Sequence, residues 1–231
     1  MSNLGTTEDF FNRWDGYHDL VSDLDTYKLI AKVLPGEIRG RLLDVGNGGV
    51  FNYDTRSADE IVVVDIAKDL VNKTNWPPHV TFRWGDAAKL PVESNEFDTV
   101  LLQLILHHLA EDTYAVSRRR VSQAIQEAHR VLKPGGRLVI VESCLPAIWE
   151  QAERACLPLF RLALRLMKHP LVFQWNWKTL ARLAGEAGFQ GLECHPVPLG
   201  RWVIQLGHKW PTILSPIRVY KITGQKPVSP S

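Results

Sequence analysis

The sequence offers little to staple, anchor or steer the chain. It has three cysteines, Cys144, Cys156 and Cys194, odd in number and widely spaced. They fit neither a disulfide framework nor a metal cluster, and they point to a reducing compartment. No run of eighteen consecutive apolar residues occurs, so no membrane-spanning helix and no stable membrane insertion are expected. Residues 1–25 carry acids and no apolar core run, unlike a secretory signal, and a cytoplasmic location is expected. The formal net charge is only +2, too small a field to draw in nucleic acid. There are no internal repeats and no metal-ligand set, so neither a repeat array nor metal dependence is expected.

What is present is ordinary globular material. With 231 residues, 45% hydrophobic and 23% charged, the chain suits one large α/β domain rather than two. We assign that domain to residues 1–224. Residues 225–231, with two prolines and two serines, read as a disordered tail. Tryptophan stands out: five of the eight, Trp149, Trp175, Trp177, Trp202 and Trp210, lie in the C-terminal part, where they can build a large core or an aromatic pocket.

Strand and helix signals alternate from residue 41 onward, as in a parallel sheet covered on both faces. Predicted strands run over Arg41–Val45, Glu60–Val64, Val80–Trp84, Phe97–Leu102 and Arg137–Val141, the last entered through the turn Lys133-Pro134-Gly135-Gly136. Val121, Ile125, Ala128 and Leu132 fall at helical spacing within Tyr114–Leu132. Helices are also expected over Pro146–Met167, over Asn176–Ala187 before Gly188, and as two pieces within Thr7–Val33. Gly191–Val197 and Pro216–Thr223 read as an antiparallel end to the sheet.

Acids and glycines mark the strand ends. Asp44-x-Gly46-x-Gly48-Gly49 follows the first strand, and glycine lets a ligand approach the backbone closely. Asp65 ends the second strand, where a carboxylate can hold a ribose diol. Asp86 ends the third, placed to accept from an exocyclic amine. Three acids in a row suit a ligand with an amine, a diol and a positive sulfur. A dinucleotide fingerprint needs glycine at its sixth place. Counted from Gly46, that place is Phe51, and Asp44 would repel a pyrophosphate.

Leu42-Leu43-Asp44-Val45-Gly46-Asn47-Gly48-Gly49, Val64-Asp65, Gly85-Asp86-Ala87, Phe97-Asp98-Thr99-Val100 and Val131-Leu132-Lys133-Pro134-Gly135-Gly136-Arg137-Leu138 together resemble the class I S-adenosylmethionine-dependent methyltransferases, in family order over roughly residues 40 to 145. The resemblance implies an α/β fold with a seven-stranded Rossmann-like methyltransferase sheet, helices on both faces, an N-terminal helical lid (1–35) and an inserted substrate-cap region with a helix after strand five (146–175). It implies S-adenosylmethionine as cofactor and S-adenosylhomocysteine as product. Gly46 and Gly48 would back the methionine part with Asp44 nearby, and Asp65 and Ile66 would serve the ribose end. Asp86 and Ala87 would serve the adenine, and Gln103 would face the methionine amino group. The chain departs from the family at Val50-Phe51-Asn52-Tyr53-Asp54, where a glycine and a longer helix are usual. A short or distorted first helix is expected there, which keeps open a cofactor-binding relative without turnover.

Other residues have a functional and a plain reading. His107 and His108 follow strand four, where a histidine can take an acceptor's proton; similar His-His-Leu runs across the family also fit a shaping role. Trp14 and Tyr17 are candidates to cover the cofactor or line the pocket, or an aromatic stripe packed on the domain. Arg118-Arg119-Arg120 reads as a solvated helix face. Ala155–Lys168 is apolar, with Arg161 and Arg165 four apart; it reads as a lid or a homodimer contact ahead of a membrane-surface helix. With Trp149, Phe173, Trp175 and Trp177 it suggests an apolar or aromatic pocket, Trp175 among its walls. Cys144 reads as a packed small hydrophobe. No Asn-Pro-Pro-Tyr signature follows strand four, which disfavours methylation of a nucleic-acid base. The expected reaction is methyl transfer to an oxygen, nitrogen or carbon of a small apolar or aromatic metabolite, in specialised metabolism; a membrane-associated lipid or quinone methyltransferase is a further alternative.

Overall fold

Continuous apolar runs make strands that must be buried on both faces, and this is how they are used. The computed structural model describes residues 8, 12, 25–73, 75–166, 170–205 and 208–228. In chain order the elements are α1 (Asp25–Val33), β1 (Arg41–Val45), β2 (Glu60–Asp65), α2 (Leu70–Lys73), β3 (Val80–Trp84), β4 (Phe97–Gln103), α3 (Tyr114–Val131), β5 (Leu132–Cys144), α4 (Ala147–Leu166), α5 (Trp177–Glu186), β6 (Gln190–Val197), β7 (Trp202–Gln205), β8 (His208–Pro211) and β9 (Arg218–Gln225). The main sheet has seven strands in the order β3-β2-β1-β4-β5-β9-β6. Its first five are parallel, and β9 runs antiparallel to both neighbours. The expected seven-stranded methyltransferase sheet is therefore present.

Successive strand side chains point to opposite faces, so each apolar run feeds two cores. Val62, Val64, Val100, Leu102, Leu138 and Ile140 enter one. Ile61, Val63, Leu101, Val139 and Val141 enter the other. The first core is covered by α3, which buries Val121, Ala124, Ile125 and Ala128, and by α5, which buries Leu180, Leu183 and Ala184. Asn176 caps α5 by accepting from the Lys178 N–H, and Gly188, at φ +101°, lets the chain turn away beyond its end.

The second face is covered differently. Where the family pattern places a helix after β1, the chain has only a 3₁₀ turn, Thr55–Ser57. Phe51 and Tyr53 pack there with Trp76, itself against Phe82. Aromatic side chains fill the room a helix would occupy.

Two features differ from the sequence reading. A two-stranded hairpin, β7–β8, lies between β6 and β9; its short, Trp-bearing strands carry no alternation that marks them. The strand placed at Pro216–Thr223 runs instead to Gln225, and Lys226 donates its N–H to Gly136 O at 2.9 Å. The predicted tail thus begins inside the sheet; residues 229–231 lie outside the described residues.

Candidate functional site

In an open α/β sheet, ligands sit at the carboxyl ends of the strands where the strand order reverses. Here that is the crevice between β1 and β4. The loop leaving β1 begins at Gly46, whose φ is +72°. A Cβ there would lie 2.2 Å from Ile105 Cδ1, so no other residue fits. The Gly46 N–H donates to Val64 O at 2.8 Å, and the Gly48 N–H donates to Asp65 Oδ2 at 2.9 Å. The glycine loop is thereby tied to the end of β2.

Asp44 is buried at the end of β1. Its Oδ2 accepts from Asn47 Nδ2 at 2.6 Å and from the Tyr53 hydroxyl at 2.7 Å. Burial is the largest influence on this carboxyl, raising it to about 6; the two hydrogen bonds oppose the shift, and the nearby Asp65 charge adds to it. Asp65 is also raised by burial, opposed by the N–H groups of Ala67, Gly48 and Ile66. Among the described residues neither carboxyl has a cationic partner, an arrangement a ligand bearing positive charge relieves. Among the described residues, Gln103 Oε1 and Asn47 Oδ1 are buried acceptors without a hydrogen-bond partner. Acceptors left open in this way match a donor-rich ligand. The chain therefore fits a sulfonium cofactor that also carries an ammonium and a diol.

Farther along the edge, Asp86 is held by Arg120, with Nη1 and Nη2 each 3.1 Å from a carboxylate oxygen, and accepts from the Ala88 N–H. This corrects the reading of Arg118–Arg120 as a solvated face: Arg120 turns inward to orient a site carboxylate, while Arg118 pairs with Glu186. Ala87 is buried beside Asp86. Trp84 is 58% exposed, and its indole N–H donates to Ile66 O at 3.0 Å. A large ring is thus tethered open to solvent between Ile66 and Asp86. The sequence reading passed over it; an aromatic at a strand's carboxyl end was the available signal.

The fourth strand ends in a strained turn. Leu104 takes φ +52°, a region unusual for a branched residue, and swings the chain into the 3₁₀ turn Leu106–His108. There His107 Nδ1 lies 2.8 Å from Glu142 Oε1. Glu142 is 0% exposed, and its oxygens also accept from the Leu106 and Ser143 N–H groups. The Ser143 hydroxyl is 2.9 Å from Gln174 Oε1. The segment before α5 braces this turn: the Phe173 N–H donates to His107 O and Trp175 Nε1 to Leu106 O. His108 stacks beside His107, ring centroids 4.0 Å apart. Sequence reasoning missed Glu142, although an acid ending the apolar run Leu138–Val141 is a signal of the same kind as Asp44.

The structure brings Asp44, Gly46, Gly48, Asp65, Ile66, Asp86, Ala87, Gln103, His107 and His108 to one edge of the sheet. It does not leave Trp175 as a pocket wall. Trp175 is 0% exposed, packed on Phe173 and Tyr114; its bulk serves as a brace behind the histidine turn. Trp14 and Tyr17 lie outside the described residues. Asn12 Oδ1 accepts from the Asp69 N–H at 3.3 Å, which places Asn12 beside the loop beyond Asp65. Cys144 is buried, and burial pushes its thiol well up, as for an inert packed residue.

A family model described as a methyltransferase domain matches residues 43–140. The bifunctional biotin biosynthesis protein BioHC of Cellvibrio japonicus is 36% identical over 113 residues, 46% of this chain and 20% of that protein. The chain thus spans only one fifth of that relative. The ubiquinone/menaquinone biosynthesis C-methyltransferase UbiE of Rubrivivax gelatinosus is 25% identical over 216 residues, 82% of this chain and 81% of that one. Among solved structures, the N-methyltransferase NodS of Bradyrhizobium japonicum in complex with S-adenosylhomocysteine shares the fold, with a TM-score of 0.62 over 97% of this chain and 99% of that one at 14% identity. With the ordered motifs and the acid-lined crevice, these matches define the class: the chain carries a methyltransferase domain over residues 43–140, on the Rossmann-like fold of S-adenosylmethionine-dependent methyltransferases.

Proposed function

We propose that the protein methylates a small, apolar or aromatic acceptor carrying an ionisable O–H or an activated carbon, with His107 as general base. The observation that carries this reading is the His107–Glu142 pair at the carboxyl ends of β4 and β5. The cofactor supplies an electrophilic methyl on a sulfonium. Asp65 is the candidate for its ribose hydroxyls, Asp86, Ala87, Ile66 and Trp84 for its adenine, Asp44 and Gln103 for its methionine end. The buried Glu142 carboxylate accepts the proton-bearing Nδ1 of His107 and so selects the tautomer with a basic Nε2. Nε2 then receives the acceptor's proton, and the neighbouring imidazolium is stabilised by the Glu142 charge. Closure of the crevice aligns acceptor and cofactor and excludes water. The name of the quinone C-methyltransferase relative supports an apolar ring as acceptor.

The missing helix after β1 supports a second reading, a cofactor-binding member without turnover. One experiment separates the two. Calorimetric titration with S-adenosylmethionine, S-adenosylhomocysteine and NADH on wild type and Asp65→Ala is expected to show micromolar-range binding of the sulfur ligands only, lost in the variant. An acceptor screen on wild type and His107→Ala follows. Cofactor binding with no methylation of any phenol, quinol or enol would favour the second reading; no cofactor binding would sink both.

A further inference from the structure

Two excursions leave the sheet at its carboxyl edge. One is α4, which follows β5. The other runs from the end of β6 through β7, β8 and the 3₁₀ turn Thr212–Leu214 to β9. The antiparallel register places both at that edge, since Cys144 pairs with Arg218 and Val197 with Val219. Both end in apolar surface. In α4 the fully buried positions are Glu150, Leu157 and Leu164, one narrow stripe of sevenfold spacing. The opposite side exposes Ile148, Leu159, Leu162 and Leu166, and Trp149 and Phe160 stand open beside the stripe. On the second excursion Ile213 is 90% exposed, and Leu214, Trp202 and Trp210 stand open as well. A helix that is apolar on its solvent side is built for something other than water.

The charge of the chain says what that is. From Arg154 to Ser231 there are eleven lysines and arginines against Glu186 and Glu193 alone, a net +9, while residues 1–153 carry −7. Arg161 and Lys221 are paired to Asp112 and Glu37 from the acidic part, which leaves a large cationic excess. Arg201, Lys178 and Arg218 belong to this edge, and the Trp-bearing hairpin adds Lys209. Of the acids near it, Glu142 and Glu150 are buried, burial raises the Glu153 carboxyl to about 7, and the exposed Asp112 is paired to Arg161. An apolar face fringed by tryptophan and by cations, without exposed acids on α4, matches the headgroup zone of an anionic bilayer. Among the described residues no helix is long and apolar enough to cross a membrane, so attachment is on the surface.

The geometry points to peripheral docking of this edge on an anionic phospholipid bilayer, through the outer face of α4 and the tip at Ile213-Leu214, so that the crevice opens toward acceptors dissolved in the lipid. The supply of such acceptors to His107 rests on the methyl-transfer reading; the docking itself does not. The test is co-sedimentation of the full chain with phosphatidylcholine vesicles and with phosphatidylcholine–phosphatidylglycerol vesicles, at low and high salt. Cofactor titration is run on the same preparations. Wild type is expected to bind the anionic vesicles and to be released by salt. Leu159→Asp with Leu162→Asp, and separately Ile213→Asp with Leu214→Asp, are expected to lower binding by about tenfold or more with cofactor affinity unchanged. Quenching of wild-type tryptophan fluorescence by brominated lipid, which needs no variant, is expected on the anionic vesicles. Wild type left in the supernatant, with no quenching, overturns the proposal. A dimer in sedimentation equilibrium that the α4 variant dissociates, without vesicle binding, overturns it in favour of a second copy of the chain. Loss of cofactor binding in wild type would instead remove the enzyme reading and leave the vesicle result standing.

Discussion

Asp44 and Glu142 are both acids buried at the carboxyl edge, one ending β1 and the other near the end of β5. They are held in opposite ways. Asp44 accepts from two neutral donors, Asn47 and Tyr53, and sits near another acid. Glu142 accepts from two backbone N–H groups and from the titratable ring of His107. A buried carboxylate needs positive charge or strong donors. For Glu142 the chain supplies them, so its role is to position a base. For Asp44 the positive charge has to arrive with a ligand, so its role is in affinity. Glu142 should govern turnover and Asp44 the cofactor.

The sharpest way to break this contrast is His107→Ala, expected to lower kcat by about 10²–10⁴ while the cofactor Kd stays put. Glu142→Gln should lower kcat by a smaller factor than His107→Ala does, with the cofactor Kd unchanged, because the ring loses the carboxylate that orients it. At the other acid, Asp44→Asn should weaken cofactor binding by roughly tenfold to a hundredfold, about 1.4–2.8 kcal/mol, with little effect on the rate at saturation. Titration calorimetry against pH sharpens this further. With the Asp44 carboxyl at about 6, wild-type affinity should fall as pH drops through 6, with protons released on binding above the free-acid range. The stability sign is the reverse. The folded carboxyl is raised above its unfolded value, so the native state binds the extra proton and the ligand-free protein loses stability as pH rises from about 4 to about 6. The Tm difference between wild type and Asp44→Asn should shrink below that window. Tyr53→Phe, which removes one donor, should cost less cofactor affinity than Asp44→Asn does, about 1 kcal/mol. Arg120→Ala, at a partly exposed ion pair with Asp86, should give the smallest change, about 1 kcal/mol or less.

Most of the sheet was legible because its strands are short runs that bury both faces. Arg41–Val45 and Val80–Trp84 match the sequence reading residue for residue, and Tyr114–Val131 and Trp177–Glu186 differ at their ends only. The site was legible wherever an acid or glycine ends such a run: Asp44, Gly46, Asp65, Asp86. Glu142 escaped because its role comes from His107, thirty-five residues away in the chain and adjacent only once β4 and β5 pair. Arg120 escaped because three successive arginines look alike in one dimension, and only helix rotation tells which one faces the sheet. Trp175 was misplaced because aromatic content does not distinguish a wall from a brace.

The sequence by itself determined the class: the order of five motifs, the alternation of strand and helix and the acids at strand ends depend on neighbours within a few residues, and local spacing carries them. Only the tertiary structure decided the pairings across long intervals. Tyr53 reaches Asp44 because aromatic packing replaced a helix; His107 meets Glu142, thirty-five residues on, because β4 and β5 are adjacent; α4 shows an apolar face because just one of its stripes is covered. Those outcomes depend on which elements become neighbours in space, and that is set by the folded sheet rather than by any local stretch of chain.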